Sequence, residues 1–247
     1  LEKCTIFFDF QAQGIRTTVT TARLSLHITE HRFFLLFVFL LADLAFYPFV
    51  SDSLGARYYV LRGLGIAVTL ITVYAVSFRK GLIFVALALG IPAMMERRVF
   101  FHTGIGALSA LNVFVGFAFD VFVIVVMFRR IFAPDKPSAE TLFGALCIYL
   151  LIGFAFARLY ALIAALSPHA FYLDPATNQH TLPVGFDFIF FSFGSMTTAG
   201  ASSIVAVSPQ VRSLSVIESI LGVLYLAVMI SRLVGAYRRT YPDSKES

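Results

Sequence analysis

The sequence predicts an all-α membrane protein with six transmembrane helices and a re-entrant segment between spans five and six. Three observations carry this. Hydrophobic residues make up 59% of the 247 residues and charged residues only 13%, against about 25% charged in a soluble domain, so the charges cannot cover a water-facing surface. The 28 Phe and 10 Tyr exclude a solvated, disordered chain. Apolar runs recur at spanning length, and short basic loops separate them.

The runs, in order, are Phe33–Val50, Tyr58–Phe78, a shorter Gly81–Met95, Thr103–Phe128, Ala139–Leu166 and Val211–Tyr237. About 20 helical residues cross a hydrocarbon core of about 30 Å, and all but the third meet or approach that length. The third carries Pro92 near its end and spans only if it is thin, tilted or extended past Glu96. Between runs five and six, Val184–Thr198 is apolar but too short to cross, and Ala, Ser, Gly, Val and Pro follow it. A short apolar helix followed by irregular backbone reads as a re-entrant loop, tolerated at membrane depth only where it lines a cavity or is buried in protein.

Basic residues set the orientation. With a cytoplasmic N-terminus, twelve Lys and Arg fall inside, among them Arg79, Lys80, Arg129 and Arg130, and five fall outside (Arg57, Arg62, Arg97, Arg98 and Arg212). This positive-inside bias places both termini in the cytoplasm. The net charge of +5 reports topology and implies no nucleic acid. Residues 1–32 are expected to be a cytoplasmic segment, either frayed or lying along the inner interface, with no signal peptide. Residues 33–130 form a four-helix bundle, 131–237 a second domain and 238–247 a short cytoplasmic tail. Cys4 and Cys147 give no disulfide framework and no metal site. HExxH, GxSxG, full GxGxxG and GxxxxGK[ST] motifs are missing, so the chain is expected to be no enzyme and to hold no cofactor. Gly63-Leu64-Gly65 and Gly104-Ile105-Gly106 read as packing glycines.

The stretch from Phe186 to Tyr237 carries Phe191-Ser192-Phe193, Met196-Thr197-Thr198, Gly200, Val207-Ser208-Pro209, Arg212-Ser213-Leu214, Glu218, Leu224-Tyr225-Leu226-Ala227-Val228 and Arg232-Leu233-Val234-Gly235. Here the chain resembles the pore module of potassium channels, closest to the bacterial two-helix ion channel family. The resemblance covers about residues 140–237; the first four spans match only as a generic four-helix bundle. It implies an outer helix, a pore helix, a filter loop and an inner helix, and therefore a homotetrameric pore, because four chains supply the rings of backbone carbonyls that replace an ion's hydration shell. It implies integration in a bacterial plasma membrane, passive permeation of a potassium-like monovalent cation, and no gating by a charged fourth helix, since Thr103–Phe128 has no regularly spaced Arg or Lys. No cytoplasmic ligand-binding domain is expected in this chain. The bundle is voltage-sensor-like in shape only.

The expected pore helix is about Gly185–Thr197, with Asp187 capping its start and its C-terminal partial charge favouring a cation. The filter is expected at Thr197, Thr198, Ala199, Gly200, Ala201, Ser202 and Ser203. The family pattern T-[VI]-G-Y-G-[D] departs here: Ala201 replaces the Tyr, Ser202 the second Gly and Ser203 the Asp. A Cβ resists the backbone conformation that Gly allows. The expectation is therefore no ordinary ladder of sites, with a potassium-like cation held at most by the inner ring of Thr198 and Ala199. A weakly selective cation or anion pore, or a non-conducting structural subunit, stands as the alternative. An alternating-access transporter is disfavoured, as the halves show no inverted repeat.

Gly222 matches the family's inner-helix hinge or permits close packing. By the same alignment Val223, Leu226, Ile230 and Val234 line the inner cavity; otherwise they contact lipid or helix. Arg158 and Glu218 lie at similar depth in spans five and six, and an ion pair between them is expected behind the pore helix, because a lone charge in hydrocarbon costs at least about 2.5–3.5 kcal/mol. Asp43 and Asp120 are expected to be satisfied structurally, by Arg62 or another polar group, or to form a proton path. Arg232 is expected to snorkel. His169 and His180 read as exposed loop residues.

Overall fold

The computed structural model describes residues 32–50, 56–76, 80–102, 107–132, 139–167, 169–178, 181–201 and 203–240. The N-terminal segment before residue 32, the tail after residue 240, Ser202, His180 and the Val234 side chain lie outside the described residues. The order is α1 (Arg32–Val50), α2 (Ala56–Val76), α3 (Lys80–His102), α4 (Ala107–Ile131), α5 (Ala139–Leu166), β1 (Phe171–Leu173), α6 (Gly185–Met196), β2 (Ile204–Ala206) and α7 (Pro209–Thr240). Among the described residues, three stretches are long and apolar enough to cross a membrane: Ala110–Ile131, Glu140–Leu166 and Pro209–Arg232.

The helix ends follow their local chemistry. Arg129 and Arg130 occupy the last turn of α4, and Glu140 the first turn of α5, each complementing the helix dipole. At the start of α7, Ser208 Oγ accepts from the Val211 N–H at 3.3 Å, with Pro209 in the first turn, where its missing N–H costs nothing. The third apolar run is longer than its composition predicts. Pro92 sits inside α3, and the helix continues through Glu96, Arg97 and Arg98 to His102. A proline inside a helix removes one ladder bond and crowds the carbonyl four residues earlier, yet the helix runs on through it.

Helices α1 to α4 pack against their neighbours in sequence, and α5 joins them through α1 and α4. Helix α6 lies between α5 and α7. Two cores result. One gathers Phe33, Leu36 and Leu40 of α1 with Val76, Val123, Met127, Ile148 and Leu151. The other gathers Ala157 and Tyr160 of α5, Phe171 and Leu173 of β1, Phe188 and Phe191 of α6, Ile204 and Val211. The strands form an antiparallel ribbon with Phe171 opposite Ala206, Tyr172 opposite Val205 and Leu173 opposite Ile204. Composition gives no sign of this ribbon, because each strand has only three residues.

Candidate functional site

The candidate site is the C-terminal end of α6 and the turn that leaves it. Helix α6 has twelve residues, too few to span. Its start is fixed by Asp187, whose Oδ2 accepts from the Val184 N–H at 2.8 Å. Asp187 therefore acts from the third helical position and not from the cap itself. Phe188 and Phe191 anchor the helix in the second core, and Phe193 fills the space over Gly153, where a Cβ would come within 2.7 Å of the ring.

The helix ends one residue earlier than the sequence suggests. Thr197 is its C-cap: its N–H donates to Phe193 O at 3.0 Å and its hydroxyl to the same oxygen at 2.6 Å. The Thr198 N–H donates to Ser195 O at 3.1 Å, and the Gly200 N–H reaches back to Gly194 O at 3.0 Å. Thr198 has φ 59° and Gly200 φ 82°, so the backbone changes hand twice within three residues. Such a φ is uncommon for a residue with a Cβ and marks Thr198 as held by its surroundings. Residues Thr197 to Gly200 are exposed. The Gly200 carbonyl faces the helix: its oxygen lies 2.7 Å from the position a Cβ on Gly194 would take. Ala201 contributes only a methyl group at this point, 3.3 Å from the same position. Ser203 accepts two bonds at its carbonyl, from the Asp174 N–H at 3.2 Å and from Asn178 Nδ2 at 2.8 Å.

Behind α6 the expected ion pair of Arg158 with Glu218 does not form. Arg158 donates through Nη1 to Asp120 Oδ2 and, at 3.1 Å, to Gly116 O of α4. Glu218 is fully buried and has hydroxyl partners instead: Tyr160 donates to Oε2 at 2.7 Å, and Ser192 Oγ lies 2.5 Å from Oε1. Similar depth in the two helices does not set which way each side chain faces. Residues two apart on a helix point about 200° from each other, so Arg158 looks toward α4 while Tyr160 looks toward α6 and α7. Asp120 thus has Arg158 as a partner. Ser192 lies within the Phe191-Ser192-Phe193 motif but carried no assigned role, and Tyr160 had no sequence signal beyond its place in an apolar run.

On α7, Gly222 is buried, and a Cβ there would meet the Met196 carbonyl oxygen, with Met196 Cγ at 2.7 Å. The two helices approach as closely as glycine permits. Ser219, one turn earlier, places its hydroxyl 2.7 Å from Ser195 O. Val223 and Ile230 are exposed and Leu226 is half-buried; at about 100° per residue these three flank Ser219 on one side of the helix. Arg232 sits over the Phe132 ring, 4.6 Å from its centroid. Among the described residues no group of three or more His, Cys, Asp or Glu is placed to hold a metal ion. Comparison with protein-family models, with curated proteins and with solved structures finds no match to this chain.

Proposed function

We propose that four copies of this chain surround one axis and form a passive pore for potassium-like monovalent cations, an atypical member of the potassium-channel superfamily. In this reading the chain crosses the membrane six times with both termini in the cytoplasm, and α6 with residues 197–203 dips in from outside. The observation that carries it is the twelve-residue apolar helix α6, held between two long apolar helices and ending in an exposed turn of positive-φ backbone at Thr198 and Gly200. A helix too short to cross, aimed by its neighbours, brings its negative C-terminal end to a point where four copies can converge on a cation. Residues Thr197 to Gly200 are exposed, and in this reading the carbonyls of Thr198 and Ala199 supply the ligands such an ion needs.

The Gly200 carbonyl, turned toward Gly194, favours a short and weakly selective filter over a full ladder. The coordinating rings are then Thr198 and Ala199, with the Thr198 hydroxyl below them. The test is the reversal potential of purified protein in bilayers with asymmetric KCl and NaCl. Cation currents with a modest preference for potassium are expected. Anion-selective currents or electrical silence sink the reading, and strong potassium selectivity overturns the short filter.

A further inference from the structure

We propose that the outer hairpin, β1 with the turn Asp174–Asn178, is a strut that holds the outer leg of the filter, and that Asn178 is the positioning residue through which it sets ion preference. The inference rests on the reading of residues 197–203 as a conducting filter. A polar backbone that leaves a filter needs partners for its own N–H and C=O groups, and this chain finds them in the loop between α5 and α6. Ser203 O accepts from Asn178 Nδ2 at 2.8 Å and from the Asp174 N–H at 3.2 Å. Asn178 is itself fixed: its backbone N–H and its Nδ2 both lie 3.0 Å from Asp174 O. At the other end of the ribbon, the Val207 and Ser208 N–H groups converge on Ala170 O at 2.9 and 3.1 Å. The outer leg is thus tied at both ends, with three strand pairs between.

The strut is seated in the rigid part of the molecule. Phe171 is buried and meets Phe188 and Phe191 of α6 edge-on, with centroids 5.5 and 5.3 Å apart, and Tyr160 of α5 at 6.0 Å. The bulky wedge against the pore helix therefore comes from the outer loop, while the filter segment itself offers Ala201. Three strand pairs alone are marginal in stability. The side-chain amide at Ser203 closes the open end of the ribbon, the end adjoining the filter. Loss of that donor leaves Ser203 O with only the longer bond from the Asp174 N–H and loosens the first residue of the outer leg while the aromatic seat remains. The width of a filter and the placement of its carbonyls select the cation it coordinates, and a loosened leg alters both, so ion preference changes more than assembly.

Asn178→Leu removes the donor at similar size and without adding charge. Phe171→Leu keeps an apolar side chain but loses the edge-on ring contacts, and provides a second route to the same result. In both variants amide hydrogen exchange at Ile204–Ala206 is expected to rise at least about tenfold over wild type, with that of α6 unchanged in Asn178→Leu, which leaves the aromatic seat intact. The potassium-over-sodium permeability ratio from bi-ionic reversal potentials is expected to change by at least about threefold. Unchanged exchange overturns the strut whether or not the protein conducts. Faster exchange with an unchanged ratio in a conducting protein overturns the positioning role. A wild-type protein that carries no current defeats the channel reading instead, and the exchange comparison then decides the strut by itself.

Discussion

At the scale of single residues, Glu218 and Asp120 are two buried acids with different solutions. Glu218 has two hydroxyls and no cation. Ser192 Oγ lies 2.7 Å from Gly153 O and 2.5 Å from Glu218 Oε1, and its one proton can serve only one of them. A side chain that donates to Ser192 and accepts from Tyr160 fits the site, and glutamine does both. Glu218→Gln is therefore expected to melt close to wild type in detergent. Glu218→Leu, which leaves the buried Tyr160 hydroxyl without its acceptor while Ser192 keeps Gly153 O, is expected to lose about 1–3 kcal/mol. Equal melting of the two variants would remove the network as a source of stability. Asp120 is different, because its partner is the guanidinium of Arg158. Removing one member of a buried pair typically costs about 3–5 kcal/mol, so Arg158→Met, which strands the buried Asp120 carboxylate, should unfold well before Glu140→Ala, which breaks only the long, partly buried contact of Arg32 with Glu140 at 4.0 Å. Equilibrium denaturation of the two variants decides this, and a larger loss from Glu140→Ala would contradict it.

At the scale of elements, close approach governs the site. Helix α6 touches the turn that leaves it at Gly194 and touches α7 at Gly222. A Cβ at Gly194 would come within 2.7 Å of Gly200 O, and one at Gly222 would meet the Met196 carbonyl. Both obstacles are backbone, which yields less readily than a flexible side chain, so Gly194→Ala and Gly222→Ala are each expected to cost about 1–3 kcal/mol through overpacking. Gly63 has nothing within 4 Å of its Cβ position, and Gly63→Ala should be neutral or stabilise α2 by up to about 1 kcal/mol. Thermal melting of the three variants checks the order, and Gly63→Ala as the worst of them would refute it. The same elements show how much of the molecule is legible in its sequence. The long helices are, since apolar runs of this length have few other folds, and so is α6, because its apolar run is too short to span. The β1–β2 ribbon is not: three-residue strands leave no periodicity, and Phe171 and Asn178 acquire meaning only once the chain returns at Ser203. The partner of Glu218 is not legible either, because depth follows from counting residues, whereas facing depends on how each helix is rotated against its neighbours.

At the scale of the whole molecule, the open question is what covers α7. Between Pro209 and Arg232 only Val211, Glu218 and Gly222 are buried, against ten residues between Glu140 and Leu166. At about 100° per residue, the exposed Val216, Ile217, Ile220, Leu221, Val223, Leu224, Val228 and Ile230 fall on one half of the helix surface. The other half, with Val211, Glu218, Gly222 and Tyr225, faces the chain's own α5 and α6. A lipid-facing helix at the rim of a monomer would be uncovered in the same way. The two cases differ in what happens to a charge at the centre of the bare half. Ile220 lies there, 53% exposed in the single chain. Under the tetrameric reading neighbouring copies cover it, and arginine at that depth would have to be buried between chains without a partner. Phe84 on α3 is more exposed still, at 77%, and lies in the four-helix bundle, away from the proposed axis. The wild-type protein in mild detergent is expected to have a protein mass four times the chain's 27.3 kDa. Ile220→Arg should shift it to smaller species, and Phe84→Arg should leave it at four chains. Light scattering that separates protein from detergent mass reads all three. A monomeric wild type ends the tetramer, and an Ile220→Arg protein that stays fourfold returns that face of α7 to lipid.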